Sequence, residues 1–318
     1  MDNVIQVKNL SKHFGLVHAV KDISFSVGRG EVLGFLGPNG AGKSTTMKVI
    51  TGFLAPSRGR ISVCGHDVLE EPIKAKKNIG YLPEGAPAYG EMTPRGFLEF
   101  IADIRALERA RREQRISQVV DMIHLESVLD RPIETLSKGF KRRVGIAQAI
   151  LHDPQVLIMD EPTDGLDPNQ KHEVRTLIKE MAKTKAIIIS THILEEVDAV
   201  CNRAIIISDG RIVFSGTPSE LEAKSRLHNA VTLSMPSQHA QSAQEKIKAL
   251  HSVAALEQQP SSDSLVRLLV IPRNGCSIVN EIGKLVQAHR WEVDELHAET
   301  GRLDEVFRSI TTGERSRT

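Results

Sequence analysis

Between residues 31 and 51 the chain passes from Glu-Val-Leu-Gly-Phe-Leu-Gly through Pro-Asn-Gly-Ala-Gly into Lys-Ser-Thr-Thr-Met-Lys-Val-Ile-Thr. Few folds accommodate that order. The apolar run from Glu31 to Gly37 predicts a buried strand, and Lys43 to Thr51 predicts a helix. The glycine-rich segment between them must therefore be a tight loop. Gly37 to Ser44 fits the pattern Gly-x-x-x-x-Gly-Lys-Ser, in which glycines let the backbone wrap around phosphates and turn successive N–H groups inward, beside the positive end of a helix. Gly37, Pro38, Asn39, Gly40, Ala41, Gly42, Lys43, Ser44 and Thr45 are the candidate phosphate cradle. Within it Lys43 is expected to reach the β- and γ-phosphates, Ser44 to offer its hydroxyl to Mg²⁺, and Thr45 to donate to the α-phosphate. A glycine-rich turn beside a surface lysine would explain neither flank.

Similar short apolar runs follow at Ile79 to Leu82, Val156 to Asp160, Ala186 to Ser190 and Ala204 to Ser208. They are dense in Val and Ile and lack polar alternation, which suits strands buried on both faces of a helix-covered sheet. The first two thirds of the chain therefore reads as α/β. The run Val156-Leu-Ile-Met-Asp160-Glu161 ends in two carboxylates, where such sheets place their ligands. Asp160 is expected to hold Mg²⁺ through its water shell, and Glu161 to polarise an attacking water. An acidic pair before Pro162 also suits a helix cap. Its company with the phosphate loop favours the chemical reading.

From Thr93 to Thr135 the pattern changes to charged amphipathic stretches, Pro94 to Arg105 and Arg111 to His124, with no strand candidate between them. An all-helical insertion over about 93–150 is expected. The basic stretch Arg109 to Arg115 carries Glu113 within an amphipathic segment, so it reads as a solvated helix face and not as a phosphate-binding patch. Near Ser215 a Gly-Thr-Pro turn and a short helix, Ser219 to Lys224, close this part, giving a first domain of residues 1–225. The segment 226–318 reads as strand Ala230 to Ser234, helix Gln238 to Leu250, strands Val253 to Glu257 and Leu265 to Ile271, helix Ser277 to Ala288 and strand Trp291 to Leu296. That βαββαβ order is ferredoxin-like. Its histidines lack metal-ligand spacing, and Trp291 reads as core.

With Leu136-Ser-Lys-Gly-Phe140 upstream and His192 downstream, these residues resemble the nucleotide-binding subunits of ABC transporters over roughly the first 225 residues. The expected fold is thus a P-loop ATPase of the ABC type with a helical insertion, followed by the small α+β domain. The resemblance implies ATP and Mg²⁺ as cofactors. Phe14 stands where an aromatic ring stacks on adenine, and Glu84 stands at the Q-loop position facing Mg²⁺. Leu136 to Phe140 aligns with the signature, Gly165-Leu166-Asp167 with the D-loop, and Ser190-Thr-His192 with the switch histidine. Glu161 is then the general base, and His192 contacts the γ-phosphate and water. Two departures stand out. Glu84 replaces the family's glutamine with a charge; in the signature Lys138 and Phe140 replace glycine and glutamine, while Ser137 and Gly139, the groups able to bind phosphate, are kept. Both resemble the ABC-2 branch of exporters, which includes subunits of drug efflux, cytochrome maturation, copper handling and gliding motility.

The resemblance also implies partners. In that family the signature of one subunit closes over the ATP held by another, so one P-loop and one signature per chain imply a homodimer or pairing with a related ATPase. Integral-membrane permease subunits are the other expected partner, with Glu84 to Phe100 as the coupling surface. The terminal stretch Leu303-Asp-Glu-Val-Phe307-Arg-Ser-Ile resembles a helical tail of ABC-2 ATPases; Leu303, Val306, Phe307 and Ile310 form an apolar face suited to its own domain.

Composition narrows the alternatives. With 41 basic and 40 acidic side chains the net charge is +1, without the electrostatic footprint of a nucleic-acid binder. Cys64, Cys201 and Cys276 are far apart, and suggest a reducing compartment with neither disulfide framework nor zinc site. No apolar run approaches the ~18 to 20 residues that span a bilayer. With the resemblance, which implies a membrane partner, a cytoplasmic protein peripheral to the inner face of the membrane is expected. A soluble ABC clamp on ribosomes or nucleic acid is the second reading, but such proteins join two nucleotide-binding halves or carry long coiled coils. A P-loop GTPase would need an Asn-Lys-x-Asp guanine reader, which the chain lacks.

Overall fold

A computed structural model describes residues 3–85, 88–260 and 265–312. Residues 86 and 87 of the expected coupling surface lie outside the described residues.

The five strands expected from apolar runs all form, and they lie in one six-stranded sheet. Its spatial order is Arg211–Gly216, Arg203–Ser208, Val32–Leu36, Ala186–Thr191, Val156–Asp160 and Ile79–Leu82. Pairing is parallel throughout except at Arg211–Gly216, which hydrogen-bonds antiparallel to Arg203–Ser208. Every residue of Val32–Leu36, Val156–Asp160 and Ala186–Thr191 is buried, which explains the missing polar alternation. Parallel pairing has a direct consequence for the site: the carboxyl ends of these strands lead into Gly37, Glu84, Glu161 and His192 at one edge of the sheet.

A second, antiparallel sheet was not legible in the apolar runs. It pairs Val17–Gly28, Asn3–Phe14, Arg58–Val63 and His66–Asp67 in that order. Irregular register between Val7 and Leu10 and again near Lys12, with Asn9 and Asp22 at positive φ, breaks its alternation. Ile5, Leu10 and Ile23 of this sheet share a core with Phe35, Met47 and Ile50 of the parallel sheet and its first helix.

The insertion is helical as expected. Thr93 caps the helix Pro94–Ile104 by accepting from Gly96 N at 3.2 Å, with Pro94 in the first turn where its missing N–H costs nothing. Helix Arg109–Ile123 follows, and then Lys138–Ile150, capped by Ser137. The basic stretch has a structural use: Arg115 Nε and Nη2 donate to Leu151 O and Ile150 O, both at 2.9 Å, at the end of the helix Lys138–Ile150.

The chain divides into two compact units after Gly216. The short helix Pro218–Glu222, with a Thr217/Glu220 capping box, thus groups with the second unit, where Ser225 Oγ accepts from Arg302 N at 3.0 Å. This unit forms an antiparallel sheet ordered Val253–Gln259, Leu265–Pro272, Val231–Pro236, Glu295–Ala298, with helices Ser237–Lys248 and Val279–His289 completing the ferredoxin-like pattern. Trp291 is core, packed with Ile282 and Val270. The last strand starts after it, later than expected: pairing with the neighbouring strand begins at Asp294, whose N–H donates to Ser234 O, and Trp291 lies in the lead-in. Val306 is the buried position of the terminal helix Leu303–Thr312.

Candidate functional site

The loop after Val32–Leu36 turns into helix Lys43–Ile50 through Gly42, whose φ of 107° favours glycine. A Cβ there would also sit 2.5 Å from Ala19 O, so no side chain fits. Pro38, Asn39 and Gly40 form an exposed rim, whereas Gly37, Ala41 and Gly42 are buried. Ser44 and Thr45 are half-buried in the first helical turn. Lys43 is 7% exposed, and its Nζ donates to Gly37 O at 2.6 Å and Pro38 O at 3.3 Å. Burial pulls the lysine below its ordinary pKa; the charges of Glu161, Asp160 and Glu84 oppose that. These carboxylates, from two other loops, therefore share one electrostatic neighbourhood with the phosphate loop.

Asp160 ends its strand 1% exposed. Its Oδ1 accepts from Ser190 Oγ of the neighbouring strand, while Oδ2 is buried without a partner among the described residues. A buried carboxylate oxygen left unsatisfied costs free energy unless a cation or ordered water meets it. Ser44 and Asp160 offer the hard oxygen donors that suit Mg²⁺. Among the described residues no cluster of three or more His, Cys, Asp or Glu could hold a metal by itself.

Glu161 lies at φ 51°, the left-handed region a side chain with Cβ rarely occupies. Its N–H donates to Ser190 O at 3.1 Å and to Ser190 Oγ at 3.2 Å. His192 Nδ1 lies 3.0 Å from Glu161 Oε1, with the imidazole exposed and the carboxylate largely covered. Burial raises the Glu161 carboxyl above its ordinary pKa, against the hydrogen bond from His192 and then the charges of His192 and Lys43; Asp160 pushes it further up. Such an environment suits a group that must take a proton.

The remaining candidates are distributed. Glu84 is exposed after Leu82-Pro83, and its charge reaches Lys43. Phe14 is 47% exposed at the end of its strand, with Lys12 Nζ 4.9 Å from the ring centre. Ser137 is exposed and accepts from Phe140 N at 3.3 Å. Gly139 is buried, and a Cβ there would fall 2.4 Å from Gln170 Oε1, so a larger residue would displace the Gln170 amide. Asp167 caps helix Pro168–Ala182 by accepting from Gln170 N at 2.9 Å. Among the described residues no hydrogen bond joins Ser137 or Gly139 to the phosphate loop.

Two buried residues absent from the sequence reading tie these loops together. Glu196, 3% exposed, accepts from Thr163 Oγ1 and from Thr191 Oγ1, the latter at 2.8 Å, linking the segment after Glu161 to the one bearing His192. Arg142, 5% exposed, donates to the backbone carbonyls of the acidic pair and of Pro162 after it. The available signal was a basic residue on the buried stripe of Gly139, Ile146 and Ala149.

The profile of the ABC transporter family matches residues 20–164. The linearmycin resistance ATP-binding protein LnrL of Bacillus subtilis is 37% identical over 219 residues, covering 69% of this chain and 70% of that protein. The probable multidrug ABC transporter ATP-binding protein YbhF of Escherichia coli is 36% identical over 225 residues, covering 70% of this chain but only 39% of its own length. Among solved structures, cbiO1 from Clostridium perfringens, described as part of the ABC transporter complex cbiONQ, superposes with a TM-score of 0.64 at 32% identity, over 70% of this chain and 92% of that one.

Proposed function

The chain belongs to the ABC transporter ATP-binding proteins, and from that membership we propose that it hydrolyses ATP to drive export through a separate membrane-spanning subunit. The observation that carries this reading is the convergence of Lys43, Asp160, Glu161 and His192 at one sheet edge, beside a loop built for phosphates. Lys43 holds the β- and γ-phosphates once its Nζ leaves the loop carbonyls. Asp160 Oδ2, Ser44 and Glu84 hold Mg²⁺, which when bound neutralises phosphate charge. Glu161 takes the proton of the attacking water, and His192 orients both the carboxylate and the γ-phosphate.

Ser137 is exposed at a helix start, where its hydroxyl and the neighbouring N–H groups are open to a second copy's phosphates. We therefore take the active form as a head-to-tail homodimer, closed by ATP and reopened after hydrolysis, with Asp167 at the join. Phe14 receives the adenine.

The permease is proposed to seat along Glu84 to Phe100 and the adjoining groove. That groove, about 430 Å³, is walled by Phe53, Ile73 and Ile104, each more than half exposed, with Lys76, Lys77 and Arg105 at its rim. Exposed apolar side chains so grouped favour a protein partner. Among the described residues no helix is long and apolar enough to cross a membrane. The crossing is assigned in this reading to the permease, with this chain at the inner face of the membrane. Purification of the tagged chain from detergent-solubilised membranes tests the reading. A polytopic membrane partner supports it; ribosomes or a purely soluble complex would replace it with the clamp reading.

A further inference from the structure

We propose that Arg142 is a positioning residue for hydrolysis, one that links the helix bearing Ser137 and Gly139 to the backbone on which Glu161 and Glu84 stand. The proposal rests on the reading of Glu161 as the base.

The guanidinium is buried, and among the described residues none of its hydrogen bonds goes to a carboxylate. Nη2 donates to Asp160 O at 2.6 Å and to Glu161 O, Nε to Pro162 O at 3.1 Å, and Nη1 to Pro83 O at 3.3 Å. Three consecutive carbonyls of the acidic segment and one carbonyl of the segment leading to Glu84 thus converge on one planar group. Burial of this charge is costly and pulls the guanidinium below its ordinary pKa; the charges of Asp164, Asp160, Glu161 and Glu84 offset part of that cost without bonding to it. What the guanidinium adds is geometry: a rigid fork whose donors span two loops at once.

Glu161 is where that geometry matters. Its backbone sits at φ 51°, held on one side by donation of its N–H to Ser190 and on the other by Arg142 on its carbonyl. Left-handed backbone at a bulky residue persists only where the surroundings over-determine it. Arg142 lies in the helix Lys138–Ile150, about 7 Å along its axis from the cap Ser137. Seating of that cap on a second copy's phosphates would therefore shift the same rigid helix that sets the carbonyls of Pro83, Asp160, Glu161 and Pro162. ATP bound by one copy becomes coupled to the carboxylate of the other.

The test compares the full chain with Arg142→Gln and with Arg142→Lys, which keeps the charge but not the fork. Steady-state hydrolysis of Mg²⁺-ATP is measured alongside affinity for a fluorescent ATP analogue. A misplacement of about 1 Å remote from the chemistry can cost ~10²-fold, so Arg142→Gln is expected to lower kcat by about that factor while KM and analogue affinity stay within a few fold. Arg142→Lys is expected to recover part of the loss. Amide hydrogen exchange should quicken in 83–85 and 161–166 together, and not across the second unit. Wild-type kcat in both variants, unchanged exchange in those segments, or parallel loss of analogue affinity and turnover would overturn the proposal. If the unmodified chain hydrolyses no ATP, the hydrolase reading fails, and the exchange comparison still decides the role of Arg142.

Discussion

His192 Nδ1 and Glu161 Oε1 stand 3.0 Å apart across the ends of two neighbouring parallel strands, paired so that Asp160 lies opposite Ser190. Glu161, one residue past Asp160, and His192, two past Ser190, extend beyond that register and bring the imidazole against the carboxylate. The pairing keeps Glu161 aimed while leaving His192 exposed on its other side, free to meet a γ-phosphate.

Replacing the carboxylate tests its chemistry. Glu161→Gln keeps shape and a donor or acceptor toward His192 but removes the base, so turnover is expected to fall by about 10² to 10⁴. ATP binding should persist. Because His192 acts partly through the same carboxylate, the losses from Glu161→Gln and His192→Ala should be less than additive in the double variant. Steady-state ATPase assays and equilibrium nucleotide binding check both; unchanged turnover in Glu161→Gln would remove it from the mechanism.

The half-exposed ring of Phe14 supplies a different kind of contact. Base stacking on an aromatic ring contributes ~1 to 3 kcal/mol, so Phe14→Ala should weaken ATP binding by roughly tenfold or more. The base is remote from the scissile bond, so kcat at saturating ATP should stay near wild type and the loss should appear in KM. A variant with wild-type KM would place adenine elsewhere.

Stability should carry the mark of His152. Burial, aided by the charge of Arg105, holds its pKa down to about 4; Nε2 bonds Ile79 O at 3.0 Å and Nδ1 is buried without a partner. The neutral ring is the folded form. In the unfolded chain it protonates near the ordinary histidine value of about 6.5. The stabilisation is therefore complete above about 6.5 and is lost as pH falls toward 4, by on the order of 2 to 3 kcal/mol. Thermal melts of wild type and His152→Gln from pH 8 to 4 should converge as the pH drops; parallel curves would contradict the assignment.

The legible parts of this molecule are those whose physics is local. Strands buried on both faces announce themselves as unbroken Val and Ile runs, and Val156–Asp160 has the bounds its residues suggest. The phosphate loop is legible because Gly42 must turn where no Cβ fits, and the acidic pair because it ends a strand. The antiparallel sheet escaped because its irregular register near Leu10 and Lys12 destroys period-two alternation. Arg142 escaped for another reason: its partners are backbone carbonyls, which leave no trace in residue identity. Glu196 likewise meets Thr163 and Thr191 only once strands order them.

If this phosphate loop is half of a site, a second copy must complete it. Mixing two inactive variants tests it most directly: Lys43→Ala, which lacks the phosphate lysine but keeps its signature, and Ser137→Arg, which keeps the lysine but blocks the signature. A mixed dimer would hold one intact loop facing one intact Ser137. The account predicts that the mixture hydrolyses ATP where neither variant alone does. A mixture as inactive as its components would contradict it.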